Sequence, residues 1–181
     1  MSEAEADPRV GPPLHGDEVA TLRAYLDYQR DTLRMKCSGL TQAQLAQEHP
    51  PTSLTLAGLM KHLALVDYHW FVVIYGGGQL PSPFDEVDFD ADPDWEFRTA
   101  RDDSPETLRA LFDECVAAAD RVLDDALAKG GLEQPSVAKS RREPDSTFSL
   151  RWILLHLIEE YARHNGHADL IRESIDGQAG D

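Results

Sequence analysis

The sequence predicts an all-α fold, a four-helix bundle. Four long stretches place apolar residues at three- and four-residue spacing, cap and stop residues bound them, and no stretch shows a convincing strand alternation. Stripes of this kind bury their apolar faces on one another, and four of them can close a bundle. At 181 residues with 41% hydrophobic content, the chain has length and core material for one domain.

Residues 1–16 are acidic, rich in Pro and Gly, and aperiodic, which predicts a flexible N-terminal arm. Asp17 then caps a helix to about Lys36, with Val19, Leu22, Leu26 and Leu33 on one face and Gly39 as its stop. Thr41–Gln44 reads as a short capped turn, and Pro50-Pro51 breaks the chain beside a solvated His49. The second long helix is expected from Thr52 or Ser53 to Tyr75, on the stripe Leu56, Leu59, Leu63, Val66 and Trp70. Gly76-Gly77-Gly78 stops it.

A long link from Gly76 to Ser104 follows, rich in Pro, Asp and aromatic residues, with Trp95 and Phe97 expected to pin it to the body. Links this long are uncommon and often functional. This one is long enough to start the third helix parallel to the second, so an up-down-down-up order is open from the sequence. Ser104, Pro105 and Glu106 give an N-cap, a first-turn proline and an acid at the positive helix end. That helix runs to about Lys129, with Leu108, Leu111, Phe112, Cys115, Val122 and Leu123 inside. After a second irregular link, 131–145, Ser146 or Thr147 opens the fourth helix. Its stripe is Leu150, Ile153, Leu154, Leu157, Ile158, Tyr161 and Leu170, and it ends before Gly177. The domain is therefore expected at 17–177, with 178–181 as a tail.

The formal net charge of -16 argues against a nucleic-acid partner, because a phosphate backbone would be repelled. Lys139, Arg141 and Arg142 make no basic stripe; Glu143 and Asp145 interrupt them, as in a solvated loop. Cys37 and Cys115 are too far apart for a metal-binding pair and read as reduced thiols of a cytosolic protein. No basic region followed by an apolar run marks a signal peptide, and the most apolar window, Trp70–Tyr75, is too short for a bilayer. A cytoplasmic enzyme or binding protein is expected, without membrane contact.

The fourth helix also carries His156, Glu160, His164 and His167. Glu160 and His164 leave one face of the helix one turn apart, where a carboxylate and an imidazole can hold one divalent ion. The same spacing also suits an ordinary side-chain pair. A third ligand must come from elsewhere, and His62 is the candidate. His69 lies about 10 Å further along its helix, too far to share that ion, and is left as a pocket or core residue. His156 and His164 end a ladder about 12 Å long, so only two of its three rungs can bind one ion; Glu160 and His164 are the pair, and His156 is left as a pocket or ligand-orienting residue. Glu159 and Arg163 suit a solvent-side ion pair. His167 and Asp169 are either partners that orient the ligands or helix-end packing. Trp70, Trp95 and Trp152 read as core residues, with Trp70 also a candidate pocket wall.

The stretches TLAGLMKHLA around His62, DPDWEFRTARDDSPETL after it, and FSLRWILLHLIEEYARHNGHADLIRESIDG at the end resemble the DinB-like superfamily. More narrowly they resemble its actinobacterial branch of mycothiol-transferase-like and uncharacterised proteins, over roughly Val19–Gly177. The resemblance implies a four-helix bundle of up-down-down-up topology, often a homodimer. It also implies a divalent metal held by one residue of the second helix and two of the fourth, and it puts those ligands on His62, Glu160 and His164. Many members have His where this chain has Glu160, and Gln where it has His167; the maleylpyruvate isomerase branch shares the Glu. The implied metal is zinc, with nickel an alternative, and three protein ligands leave one position open, as in catalytic zinc sites. The implied activity is transfer of a small thiol such as mycothiol to a small electrophile, the metal lowering the thiol pKa. Metal-dependent hydrolysis and a non-catalytic metal- or ligand-binding stress protein are the alternatives.

Overall fold

The computed structural model describes residues 9–179, and its long elements are helices. α1 (Glu18–Cys37) starts at Asp17, whose side chain accepts from Ala20 N, and ends before Gly39 at a φ of 71°. Of the expected arm, residues 1–8 lie outside the described chain; within it, the Arg9 guanidinium lies over the Tyr28 ring of α1. α2 (Gln42–Leu45) is the short turn expected there, closed by a reciprocal capping box between Thr41 and Gln44.

α3 (Leu56–Tyr68) begins at Thr55, later than Thr52 or Ser53, because Thr55 is the residue whose hydroxyl reaches a first-turn amide, Gly58 N. It passes into a π-helical segment, His69–Tyr75, and Gly76 N donates to Phe71 O across five residues at 3.0 Å. π turns within helices often lie beside functional sites. Gly77 takes a φ of +72°, and a Cβ there would meet Val137 Cγ1 at 2.8 Å, so this stop needs glycine on two counts.

The long link is partly ordered by short helices. α4 (Trp95–Thr99) is the one that matters for the site. α5 (Pro105–Lys129) and α6 (Leu150–Asp176) follow. The expectation of no strands fails between them. β1 (Pro135–Lys139) and β2 (Thr147–Ser149) form a small antiparallel sheet. Pro135 pairs with Ser149 and Lys139 with Thr147, so one strand is bulged. Buried Ser136 fills the bulge: its hydroxyl accepts from Phe148 N at 3.0 Å and donates to Ala138 O at 2.6 Å. Strands this short and irregular leave no alternating signature in sequence. They also displace the start of α6, whose cap is Ser149 rather than Ser146 or Thr147.

The core lies between the long helices, α1 packing on α6 and α3 on α5, with α3 also touching α1 and α6. Leu26, Leu33, Leu56, Leu59, Leu63, Phe71, Phe112, Leu123, Leu157 and Tyr161 are buried there. Leu170, expected on the inner stripe of α6, is 70% exposed, and Ile171 is buried in its place. One polar knot crosses this core. The Arg30 guanidinium of α1 donates to both Asp67 carboxylate oxygens at 2.6 and 2.7 Å, and the Tyr161 hydroxyl donates to the same carboxylate at 2.8 Å. Arg30 also reaches Asp120 of α5 at 2.8 Å, so the knot ties together α1, α3, α5 and α6. Among the described residues no helix is long and apolar enough to cross a membrane.

Candidate metal centre

α3 and α6 bring His62, Glu160 and His164 to one place. Leu59 and Leu63 bury the neighbouring face of α3, which leaves His62 half-buried. On α6, Leu157, Tyr161 and Asn165 face inward, and Asn165 is anchored by donating to Gln29 O at 2.9 Å. Glu160 and His164 sit one turn apart beside that inner face. Glu160 Oε1 lies 3.6 Å from His62 Nε2 and 3.2 Å from His164 Nε2. One donor atom from each residue falls within 4.8 Å of the others.

Each imidazole is gripped from its outer side. His62 Nδ1 lies 2.8 Å from Glu96 Oε1, and since a carboxylate can only accept, Nδ1 carries the proton. Nε2 is then the free lone pair, and it faces Glu160. Phe97 stacks on the His62 ring at 4.6 Å with 26° between planes. His164 Nδ1 lies 3.4 Å from His167 Nδ1. Burial, and then the neighbouring His62, lowers the pKa of His164, which favours the uncharged imidazole that ligation needs.

α4 owes its place to α3. Lys61 Nζ donates to Thr99 Oγ1 at 3.0 Å, pairs with Asp103 at 2.6 Å and sits 4.5 Å over the Trp95 ring. Gly58 lets Phe97 approach, since a Cβ there would stand 3.0 Å from Phe97 Cδ1 and 3.4 Å from Phe97 Cα. Trp95 and Phe97 thus pin the link to the body, and between them they deliver Glu96.

The donor set suits a divalent cation. Donors around one tetrahedral zinc stand about 3.3 Å apart, so side-chain movements of under ~1 Å would bring these three to ligating distance. His62 presents the Nε2 lone pair, His164 Nε2 hydrogen-bonds Glu160 Oε1, and the Glu160 carboxylate and the buried Glu96 carboxylate supply negative charge around them.

The other residues singled out from sequence scatter around this cluster. His167 touches His164. Asp169 does not reach it and instead pairs with buried Lys36 at 2.8 Å. Five residues beyond His164, it is rotated by about 140° around the helix. His156 lies one turn before Glu160, stacked on Trp152 at 5.0 Å and against Trp70 at 4.6 Å. Trp70, Trp152, His156 and Phe148 form one aromatic group, and Trp152 is 44% exposed rather than core. His69 opens the π segment, and burial followed by the Arg141 charge lowers its pKa. His49 donates to or accepts from Ser174 Oγ at 2.7 Å, away from these residues in sequence and contact. Glu96 was not visible as a site residue in the sequence. It is one of 33 acids, and its only local signal is its place between two aromatic residues.

The family described as mycothiol-S-transferase matches residues 21–177. Among solved structures, the chain is similar to a structural-genomics crystal structure of a protein from Streptococcus pneumoniae. That pair is 14% identical, with a TM-score of 0.62, over 90% of this chain and 93% of the other, a likeness of fold. No protein of curated function matches.

Proposed function

The chain belongs to the mycothiol-S-transferase family, and from that premise we propose that it transfers a low-molecular-weight thiol, such as mycothiol, to small electrophiles at the cluster of His62, Glu160 and His164. The observation that supports this most is the approach of those three donors, within 4.8 Å, from two separate helices. A divalent ion held there, zinc by preference or nickel, would supply Lewis acidity that makes a thiol acidic enough to be thiolate at neutral pH. The protein's own part is positional. His62 offers Nε2 because its Nδ1–H is committed to Glu96, whereas His164 Nε2 donates to Glu160 Oε1 at 3.2 Å and would give up that proton, or shift it to Nδ1 beside His167, to hold an ion. Glu160 supplies the one anionic donor. Phe97 covers one face of His62 and keeps water from it. His156 continues the ladder one turn before Glu160 and packs on Trp152 and Trp70, and against that wall we place the apolar part of the electrophile, with His69 at its edge. In the transfer, the sulfur lone pair forms the new carbon–sulfur bond and the thiol proton leaves to solvent. The electrophile's leaving group departs with its bonding pair, or in an addition its carbanion takes up a proton.

The test incubates metal-loaded protein with thiol and an electrophile such as monochlorobimane. Transfer is expected to need both thiol and metal, and to fall at least about 100-fold in His62→Ala and His164→Ala together with metal content. No acceleration with any thiol would turn the reading to hydrolysis or to binding without turnover, and full activity after metal stripping would refute it. The family premise also supports the up-down-down-up four-helix bundle, in which α3 and α5, the second and third long helices, run parallel; one domain over 17–177; and a cytoplasmic homodimer. Exposed Leu155 on α6 suits such a pairing. Light scattering is expected to give about twice the chain mass of 20.2 kDa, and the monomer mass at micromolar concentration would rule the dimer out.

A further inference from the structure

We propose that Glu96 is a positioning residue of the metal centre: it fixes the tautomer and orientation of His62 and places an anionic charge behind it. The inference rests on the proposed function, since it gives His62 a ligand's task.

Glu96 is 4% exposed, yet it makes little of its burial. Oε1 accepts from His62 Nδ1 at 2.8 Å, and Oε2 is buried without a hydrogen-bond partner among the described residues. An anion this poorly satisfied is costly to bury. The nearby lysine does not relieve it, because Lys61 is engaged with Thr99, Asp103 and the Trp95 ring. The group that Glu96 does meet is the imidazole whose far nitrogen faces Glu160 and His164. A carboxylate behind an imidazole forbids the neutral tautomer in which the far nitrogen is protonated, and so leaves that nitrogen's lone pair facing the cluster. Once a cation sits on the far side, the imidazole becomes more positive and the buried charge gains its counterpart. The surroundings hold this arrangement still. Phe97, next in sequence, stacks on the same His62 ring, and Gly58 and Lys61, on the turn of α3 before His62, hold Phe97 and the α4 backbone in place.

A merely structural Glu96 would join α4 to α3 and do nothing more. The two roles separate in a set of measurements on metal-free wild type, Glu96→Gln and His62→Ala. Zinc affinity is read by competition with a chromogenic chelator, thermal stability in the presence of chelator, and the His62 tautomer by long-range nitrogen–proton NMR correlation. Gln keeps the shape but can donate to Nδ1 as well as accept from it, so it no longer dictates the tautomer. Glu96→Gln is expected to melt at or above the wild-type temperature without metal, yet to bind zinc about 10- to 100-fold more weakly. Wild-type His62 is expected to be protonated on Nδ1. A melting temperature that falls while zinc affinity stays within twofold overturns the proposal and leaves a structural role. So does a wild-type His62 protonated on Nε2, a result that needs no variant to fold. If wild type binds no zinc, or His62→Ala binds it equally well, the metal-centre reading itself fails and Glu96 loses its role with it.

Discussion

At the scale of single residues, chemistry follows from what surrounds each group more than from its type. The two thiols show this. Burial pushes both Cys37 and Cys115 up to about 12, the acids near Cys115 adding to the effect, so neither is a nucleophile at neutral pH. Cys37→Ser and Cys115→Ser are therefore expected to keep thiol transfer within about twofold per folded molecule, at a stability cost of about 1–3 kcal/mol for a buried hydroxyl. In wild type, a disulfide reagent should label neither thiol until denaturant unfolds the chain; rapid native labelling would contradict this burial. The pH dependence has a definite sign. In the unfolded chain these thiols ionise near about 8.5, so above that pH the unfolded state holds fewer protons and stability falls as pH rises. The serine variants should lose less stability over that range. Residue by residue, the meeting of His62, Glu160 and His164 was legible because helical spacing and motif agree there. Glu96 was hidden because its partner is 34 positions away and nothing local distinguishes it from other acids.

At the scale of elements, legibility tracked how local the determining physics is. The ends of α1, α2 and α5 could be read, because each is set by a side chain reaching an amide a few residues on: Asp17, Thr41 and Ser104. Competing cap residues blurred α3 and α6, since Thr52, Ser53 and Thr55, or Ser146, Thr147 and Ser149, look alike in sequence. Tertiary packing chose between them. The hairpin was missed for a related reason: β1 and β2 hold each other through a bulge and lie against the π segment, and neither strand alternates strongly enough to stand out. The π segment lies in that setting: its wider turn, with Gly76 N donating to Phe71 O, delivers the chain to Gly76 and Gly77, the latter against Val137. α4 is the element of most consequence for the site, and its five residues are too few for periodicity to reveal.

At the scale of the whole molecule, the site depends on α3 and α6 keeping their register, and the knot around Asp67 is placed to hold it. Asp67 is fully buried, five residues after His62 on the same helix, and it accepts from Tyr161, the residue after Glu160. Through Arg30 it is tied to α1, and through Asp120 to α5. Burial, and then the Asp67 charge, holds the Tyr161 hydroxyl well above its ordinary pKa, so it stays a donor. Asp67→Asn keeps the shape and removes the charge. Breaking a buried pair costs about 3–5 kcal/mol, and the low end is expected here because Arg30 keeps Asp120 and Asp27. Denaturant unfolding should therefore show a loss of about 3 kcal/mol, and added salt should barely change it, since the pair is shielded from solvent ions. A paired change to apolar residues, Arg30→Met with Asp67→Leu, removes both charges and should recover much of that loss. If register is what the knot provides, the apolar pair will recover stability but not full zinc affinity, because Tyr161 will no longer bind α6 to the helix bearing His62. Equal recovery of both would show that packing alone sets the distance between His62 and Glu160.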